Sequence, residues 1–347
     1  MKKLFAFLVI IAVCFCFAAC EQEQAGTPTP PAVSRTDAPA EPQISVKKVT
    51  LSGDANDTFV AEEHCYAEGK NVYLYFEKGV TVRGDMIELT ERVMDDLCDY
   101  TGLDFARNCE YNKPSKFLDE HVPMSHFGEV NTDGRKIDVL LVHNPEKYAV
   151  QQAFAGGCIL DMYDYDFEET GWQQMYHELS HVIHLRNGAC LGHTMDEGFA
   201  VYTSYMTMRE QKLPVWSTIQ FFDPVAFDDS VIAEGESGFK CVFDPNDFSY
   251  HYGFRLVMFL GETYGEDVFF KIADEAENRS YLSSMNTGVY NSPERLDKST
   301  DELIDIIKSQ TDDDVFDQFA SWNKKKFGKS YQDYKDYMNS IGQRIDW

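Results

Sequence analysis

The chain has 347 residues, with 58 acidic side chains against 31 basic ones and a formal net charge of −27 at pH 7. This charge argues against nucleic-acid binding and against docking on an anionic membrane through basic patches, because like charges repel at long range. The length suggests two or three packed domains or subdomains. A hydrophobic share of 44% and an aromatic share of 14% are enough for a folded core.

Residues 1–20 have the pattern of a secretory signal that ends at a cysteine. Two lysines open the segment, and residues 4–19 carry no charge. This apolar run is shorter than a membrane-spanning helix needs. Small residues precede Cys20, which resembles a bacterial lipobox and implies that Cys20 carries lipid as the first residue of the mature chain. An ordinary signal peptide beside a chance cysteine is the alternative.

Residues 21–43 are rich in Pro, Ala, Thr and Glu and show no hydrophobic periodicity. Such a segment is expected to be a disordered tether, with a reach of roughly 25–30 Å for a flexible chain. We therefore expect a domain on the extracytoplasmic side of a bacterial envelope that touches the membrane through its N-terminal lipid only. Without Lys2 and Lys3, 58 acidic residues face 29 basic ones, a net charge of −29.

Six of the nine cysteines remain once Cys14, Cys16 and Cys20 are set aside. An even number in an exported protein permits up to three disulfides, and free thiols are an equally good interpretation. No Cys-x-x-Cys spacing occurs, so a thiolate zinc cluster is not expected. The six are Cys65, Cys98, Cys109, Cys158, Cys190 and Cys241.

The segment that follows the tether is predicted to mix strands with one helix. Aromatic and β-branched residues predict a strand over 71–77, and apolar runs predict further strands over 136–143 and 154–162. Apolar residues recurring at three and four predict a helix over 85–100, and Asp85 followed by Glu88 favours an N-terminal cap there.

Helices are predicted to dominate after residue 170. A capping-box pattern at Thr170 and the Asn187-Gly188 stop bound a helix over 171–187. Further helices are predicted over 194–210, 248–264, 299–308, 312–326 and 331–341. The expected fold class is α+β, with a strand-containing N-terminal lobe over 44–190, a central helix, and a helical C-terminal lobe over 191–347. A cleft between the lobes is the default ligand site.

The central helix contains His177-Glu178-Leu179-Ser180-His181. Residues four apart lie on one helix face, so His177 and His181 can converge on one zinc ion. Glu178 can then reach a water at that ion without being a ligand, which is the position of a general base. A catalytic zinc needs a third protein ligand and one open position.

Metzincins take their third ligand from a histidine six residues after the second one, with a glycine between them. Here the position of that histidine holds Asn187 and the position of the glycine holds His184, so the metzincin pattern is not met. Residues 195–202 read MDEGFAVY, which resembles the Asn-Glu-Gly-Phe-Ala segment of gluzincins, the thermolysin-like and aminopeptidase-N-like metallopeptidases. The resemblance implies that Glu197 is the third ligand of one Zn²⁺ ion and that the fold contains a thermolysin-like catalytic unit. Asp196 stands where the family has Asn, and the loop before it is short.

Three readings compete with Glu197 as the ligand. Thr194-x-x-Glu197 is itself a capping box, which would give Glu197 a structural role. Asp196 and His193 are alternative ligands. His184 shares the helix face of His177, and a packed or hydrogen-bonded role beside the metal ligands is favoured for it.

Tyr250-His251-Tyr252-Gly253-Phe254 resembles the Tyr-x-x-Gly-Phe segment of aminopeptidase-type gluzincins. The resemblance implies that the Tyr250 hydroxyl donates to the oxyanion. His251 competes for this role because thermolysin uses a histidine, and Tyr252 is a third candidate. An aromatic run that packs the helix into the core is the structural alternative.

Ala155-Gly156-Gly157-Cys158-Ile159 corresponds to the strand in which aminopeptidases carry a glutamate for the substrate amine. No carboxylate is present, so aminopeptidase activity is not implied. Ala155, Gly156 and Gly157 are instead expected to leave backbone groups open to an extended substrate, as a strand added to a sheet edge.

These observations favour a membrane-tethered zinc peptidase that acts on peptides or proteins outside the cell. One alternative is a non-catalytic binding or adhesion lipoprotein with a degenerate peptidase fold. The other is a zinc hydrolase of a non-peptide or cell-wall amide.

Overall fold

A computed structural model of the chain describes residues 46–106, 130–131, 134–142, 152–161, 172–188, 191–213, 235–242, 250–282 and 293–327. This part of the chain contains eight strands and eight helices. All eight strands precede the first long helix of the C-terminal half, so the predicted α+β class is confirmed, with a strand-containing N-terminal lobe and a helical C-terminal lobe. The boundaries proposed for the signal and the tether lie outside the described residues.

Six of the strands form one mixed sheet. In chain order the strands are β1 (Lys47–Lys48), β2 (Thr58–Val60), β3 (Cys65–Glu68), β4 (Val72–Phe76), β5 (Thr81–Arg83), β6 (Ile137–Val142), β7 (Gln152–Phe154) and β8 (Gly157–Asp161). The order across the sheet is β1-β3-β4-β6-β8-β7, while β2 and β5 pair separately. β4, β6 and β8 are parallel neighbours, and β7 is antiparallel to β8 at the edge of the sheet.

The central strands β4 and β6 confirm the predictions over 71–77 and 136–143. Every residue of β6 is buried, as expected for a strand covered on both faces. Ile137, Val139 and Leu141 join the main core, whereas Leu140 and Val142 join a smaller cluster on the opposite face. This division follows from the alternation of side chains along a strand.

The single strand predicted over 154–162 is wrong in form, because the segment is a hairpin. β7 ends at Phe154, residues 155 and 156 form the turn, and β8 begins at Gly157. A Cβ at Gly157 would lie 1.8 Å from the Asp138 carbonyl oxygen, so the close contact between β6 and β8 requires glycine there.

Helix α1 (Met86–Thr101) buries Met86, Leu89, Val93 and Leu97 in the main core. Asp85 stands at its N-cap but makes no side-chain cap, contrary to the prediction. Its carboxylate instead accepts two hydrogen bonds from Arg83, at 3.0 and 2.9 Å, which removes it from the helix end.

The C-terminal half is helical, as predicted. Its helices are α2 (Trp172–Asn187), α3 (His193–Glu210), α4 (Glu236–Val242), α5 (Tyr250–Tyr264), α6 (Val268–Ala276), α7 (Pro293–Gln310) and α8 (Val315–Phe327). Sequence patterns missed the short helices α4 and α6. The helix predicted over 331–341 lies outside the described residues, as does the capping box proposed at Thr170.

Helices α3 and α5 approach each other closely through two glycines. A Cβ at Gly198 would lie 2.2 Å from the Gly253 carbonyl carbon, and a Cβ at Gly253 would lie 1.8 Å from the Thr194 carbonyl oxygen. Real side chains do not tolerate such distances, so only glycine permits this crossing. The contact holds the first turn of α5 beside the first turns of α3.

Cys65, Cys98 and Cys158 are free thiols, while the side chains of Cys109, Cys190 and Cys241 lie outside the described part. Among the described helices, none combines the length and apolar character that crossing a membrane requires.

Candidate metal centre

Two neighbouring helices bring together three side chains that could bind a metal ion. His177 and His181 lie one turn apart on α2, and Glu197 lies in the second turn of α3. His177 Nε2 is 3.1 Å from Glu197 Oε2, and His181 Nε2 is 3.3 Å from the same oxygen. The two Nε2 atoms are 3.2 Å apart. Sequence reasoning therefore identified the three residues that form a potential metal-binding cluster.

The spacing of these donor atoms fits one small divalent metal ion. An ion with tetrahedral bonds of about 2.0–2.1 Å has ligand atoms roughly 3.3–3.4 Å apart. The donor atoms lie 3.1–3.3 Å apart. The side chains of His177, His181 and Glu197 are 19%, 12% and 18% exposed, so one side of the cluster is open to solvent. An open side is what a catalytic metal needs for substrate or water.

The charges of the cluster favour an ionised Glu197. Burial raises the pKa of this carboxyl, but the charge of His181 and hydrogen bonds from both histidines outweigh burial and hold the pKa well below its usual range. Burial lowers the pKa of His181, while the Glu197 carboxylate raises it above its ordinary value. The cluster is therefore prepared to hold a cation.

Glu178 lies beside the cluster without being part of it. Its side chain is buried, and burial raises its pKa to about 7, opposed by His177 and reinforced by the charge of Glu197. Burial, and to a lesser degree the Glu178 charge, raise the pKa of the Cys158 thiol on β8. A carboxylate with a pKa near neutrality is suited to accept and return a proton at pH 7.

The capping-box interpretation of Glu197 is wrong. Helix α3 begins at His193 with Gly192 at its N-cap, so Thr194 already lies inside the helix. The Gly192 carbonyl accepts the N–H groups of Met195 and Asp196, at 3.0 and 2.9 Å. The Glu197 carboxylate is therefore available to the histidines.

The alternative ligand Asp196 is engaged elsewhere. Its Oδ1 atom accepts hydrogen bonds from His184 Nε2 at 2.9 Å and from the Leu191 N–H at 3.0 Å. His184 is buried and does not join the metal cluster, which agrees with the packed role expected for it. The side chain of His193 lies outside the described residues.

The oxyanion candidates sit at the start of α5. The side chains of Tyr250 and His251 lie outside the described part of the structure, so their roles stay predictions. Tyr252 is buried, and its ring centroid is 6.2 Å from Phe239 and 5.3 Å from Phe319. Tyr252 thus follows the structural alternative, an aromatic side chain that packs the helix into the core.

The carbonyls of Ala155 and Gly156 and the strand pairing of Gly157 are used within the structure, which corrects the prediction that these groups are open to a substrate. The Ala155 carbonyl accepts a hydrogen bond from Arg186 Nε, and the Gly156 carbonyl accepts the Asp138 N–H at 3.0 Å. Gly157 pairs with Asp138 on one side and Phe154 on the other. The hairpin uses these groups internally because the strand begins later than expected. The sheet edge beside α2 is instead β7.

Arg186 is a structural residue of the site that the sequence did not single out. Its guanidinium is fully buried at the end of α2 and donates to the carbonyls of Phe105, Gly134 and Ala155. These bonds fix the β7–β8 hairpin against the helix that carries both histidines. The sequence signal is only a basic residue in a last helical turn, which is common at exposed helix ends.

No protein-family model matches the sequence, and no curated protein matches it. A solved structure of a functionally unknown conserved protein from Bacillus anthracis is similar at 11% identity and a TM-score of 0.42, covering 82% of this chain and 53% of that one. The IMPa metallopeptidase from Pseudomonas aeruginosa is similar at 12% identity and a TM-score of 0.39, covering 82% of this chain and 35% of that one. The chain thus spans only part of the length of either protein, and these distant likenesses assign no activity.

Proposed function

We propose that this protein is a zinc-dependent peptidase of the gluzincin type, anchored outside the cell by lipid on Cys20. The observation that carries the proposal is the convergence of His177, His181 and Glu197 at donor distances of 3.1–3.3 Å, with Glu178 buried beside them. Two histidines and a glutamate, with one side open, are a donor set that catalytic zinc uses in proteins.

The chemistry of the three donors supports zinc as the ion. Imidazole nitrogen suits zinc better than magnesium or calcium, which favour oxygen donors throughout. A zinc ion bound there would lower the pKa of a water towards about 7 and polarise the scissile carbonyl. Each histidine must present a neutral Nε2 to bind, and the low pKa of Glu197 keeps the third donor charged.

Glu178 acts as the general base in this proposal. It follows His177 directly on α2, and its buried carboxyl feels the charges of His177 and Glu197, which supports a position beside the cluster. The carboxylate takes a proton from the attacking water and later delivers it to the leaving amine. Its raised pKa, about 7 because of burial, suits both transfers near neutral pH.

Tyr250 is the proposed oxyanion donor. The close contact of Gly253 with Thr194 and Gly198 holds α5 against α3, and position 250 precedes Gly253 by one helical turn. This contact supports the proposal because it holds the first turn of α5, which contains position 250, against the helix that carries Glu197. A single donor of this kind contributes typically about 10²–10³ to turnover.

The substrate proposed is an extended peptide or an unfolded protein segment. Among the described strands β7 ends the sheet, and it packs against α2, the helix that carries both histidines, which supports an added strand at this edge. The acidic mature chain, with 58 acidic and 29 basic residues and a net charge of −29, favours basic peptides electrostatically.

The test compares wild type with Glu178→Gln, Glu197→Gln and the exposed-site control Glu277→Gln. Zinc content is measured on the purified folded domain, and cleavage is measured on a peptide library with and without chelator. We expect one zinc and chelator-sensitive cleavage in wild type and the control, zinc without cleavage in Glu178→Gln, and loss of zinc in Glu197→Gln. Full activity of Glu178→Gln would refute the mechanism.

Other outcomes point to the alternatives. Zinc without any cleavage in wild type would favour a binding or adhesion lipoprotein, and cleavage restricted to cell-wall conjugates would favour a different amide hydrolase. Zinc lost in His177→Ala but retained in Glu197→Gln would move the third ligand to Asp196 or His193. A Cys20→Ser variant that stays in the membrane fraction would contradict the lipid anchor.

A further inference from the structure

We propose that His184 and Asp196 form a positioning clamp that makes Glu197, rather than its neighbour Asp196, the carboxylate of the metal centre. The clamp is the hydrogen bond between the His184 ring on α2 and the Asp196 carboxylate on α3. The inference rests on the proposed function in one respect, the role of Glu197 as a ligand.

The clamp joins three segments at one oxygen atom. Asp196 Oδ1 accepts from His184 Nε2 at 2.9 Å and from the Leu191 N–H at 3.0 Å. A carboxylate oxygen only accepts, so Nε2 of His184 carries the hydrogen. His184 is 1% exposed and Asp196 is 9% exposed. Buried hydrogen bonds to a charged group are costly to leave unmade, so this contact resists rearrangement.

Aromatic rings hold the His184 side chain in place. Its ring centroid is 5.2 Å from Phe199 on α3 and 5.2 Å from Phe269 on α6. These two phenyl rings stack on each other with centroids 4.2 Å apart. The imidazole cannot turn away from Asp196 without opening this packed cluster.

The clamp matters because two carboxylates stand side by side at the metal centre. Consecutive residues on a helix point about 100° apart, so a rotation of α3 by one position would present Asp196 to the histidines in place of Glu197. The bond to His184 and the bond to Leu191 fix that rotation. Glu197 is thereby left facing His177 and His181, at 3.1 and 3.3 Å.

The test measures metal affinity rather than activity, with zinc and cobalt(II) ions as probes. Affinity is determined by competition with a chelator, and the visible spectrum of the bound cobalt reports the ligand geometry. His184→Ala and Asp196→Ala remove one partner each, whereas His184→Gln keeps a donor and Asp196→Asn keeps an acceptor. Ser204→Ala is the matched control, because it removes another buried hydrogen bond from α3, to the Val201 carbonyl at 3.0 Å.

We expect His184→Ala and Asp196→Ala to lose about 10–100-fold in zinc affinity, the range found when partners of metal ligands are removed. Their cobalt spectra should change, while the two conservative variants and Ser204→Ala stay close to wild type. If His184→Ala fails to fold, the comparison of Asp196→Ala with Asp196→Asn decides the question.

Two results would overturn the clamp. One is wild-type affinity and an unchanged cobalt spectrum in folded His184→Ala and Asp196→Ala. The other is an equal loss in Ser204→Ala, which would mean general loosening of α3. Failure of wild type to bind zinc would instead overturn the proposed function, and the clamp with it.

Discussion

The crossing of α3 and α5 should not accept a single added methyl group. Gly253 lies where α5 meets α3, and a Cβ built on it would be 1.8 Å from the Thr194 carbonyl oxygen and 2.9 Å from the attached carbon. The obstacle is helix backbone, which cannot rotate aside as a long side chain can. The variant Gly253→Ala therefore forces the two helices apart.

The required shift can be worked from these distances. Ordinary contact begins near 3.4 Å, so the helices must separate by about 1.6 Å along this direction. Overpacking of this kind costs roughly 1–3 kcal/mol, and the better helix propensity of alanine returns up to about 1 kcal/mol. The net destabilisation then lies between about 0 and 3 kcal/mol, and we expect about 2 kcal/mol because the obstacle is helix backbone. Misplacement by about 1 Å near the metal centre should also reduce turnover by about 10²-fold.

Gly261→Ala is the matched control, because it adds the same methyl group to the same helix. A Cβ at Gly261 would lie 3.2 Å from the Tyr202 hydroxyl oxygen and 3.7 Å from the ring carbon that bears it. A side chain can adjust by that amount, so this variant should be as stable as wild type or up to about 1 kcal/mol more stable. Urea unfolding measures both variants, and peptide cleavage measures turnover.

Unfolding of Gly253→Ala at the same urea concentration as Gly261→Ala, with wild-type turnover, would refute this prediction. That result would mean that α5 can move away from α3 without affecting the core or the metal centre. A Gly253→Ala variant with wild-type stability and low turnover would also contradict the prediction, because separation of the two helices should lower both stability and turnover.

Three further predictions concern the metal centre. With metal removed by a chelator, the free energy of unfolding of wild type should fall relative to that of Glu178→Gln as pH rises from about 4.5 to about 7. Burial raises the pKa of Glu178 to about 7, so in this range the folded state holds a proton that the unfolded state has lost. The fall should reach up to about 1.4 kcal/mol per pH unit. Urea unfolding across that range would contradict this if the two curves stayed parallel. Zinc at 100 times its dissociation constant should raise wild-type stability by about 2.7 kcal/mol in thermal unfolding, and Glu197→Gln should show much less. Tyr250→Phe should lower turnover by about 10²–10³-fold with little change in KM. Tyr252→Phe should retain wild-type turnover, because the Tyr252 ring packs in the aromatic core. The opposite result for the two variants would reassign the oxyanion donor to Tyr252.

Hydrophobic patterns predicted the long helices and strands of this fold, because the apolar residues of each recur at the spacing that its buried face requires. β6 and α1 show the two periodicities clearly, and their bounds differ from the predictions by one residue at each end. The hairpin of β7 and β8 was missed because glycine and alanine are equally compatible with a strand start and with a turn. Only the approach of Gly157 to Asp138 distinguishes them, and that contact joins two strands distant in sequence.

Short elements and caps were poorly predicted for a related reason. Asp85 is a good cap by residue type, yet Arg83 binds its carboxylate with two hydrogen bonds. A cap contributes typically about 1 kcal/mol, so a charge-assisted bidentate pair can displace it. The outcome depends on a competing partner that local pattern rules do not consider.

The candidate metal ligands were easier to predict than the fold around them, because helix geometry alone brings His177 and His181 to one face. The third ligand needed the resemblance, since two adjacent carboxylates fit the same role by residue type. Tertiary contacts give the two carboxylates different partners. Asp196 accepts hydrogen bonds from His184 and Leu191, and Glu197 contacts His177 and His181.

The two glutamates of the site also differ because of their tertiary surroundings. Glu178 and Glu197 are chemically identical, yet their surroundings move their pKa values in opposite directions. Two histidine partners hold the pKa of Glu197 far below its usual range, while burial without such hydrogen bonds raises that of Glu178 to about 7. One carboxylate is thus ionised at neutral pH and suited to a cation, and the other is suited to exchange a proton near neutral pH. The roles proposed for these two residues, ligand and base, thus follow from the different neighbours that each glutamate has where α2 and α3 pack together.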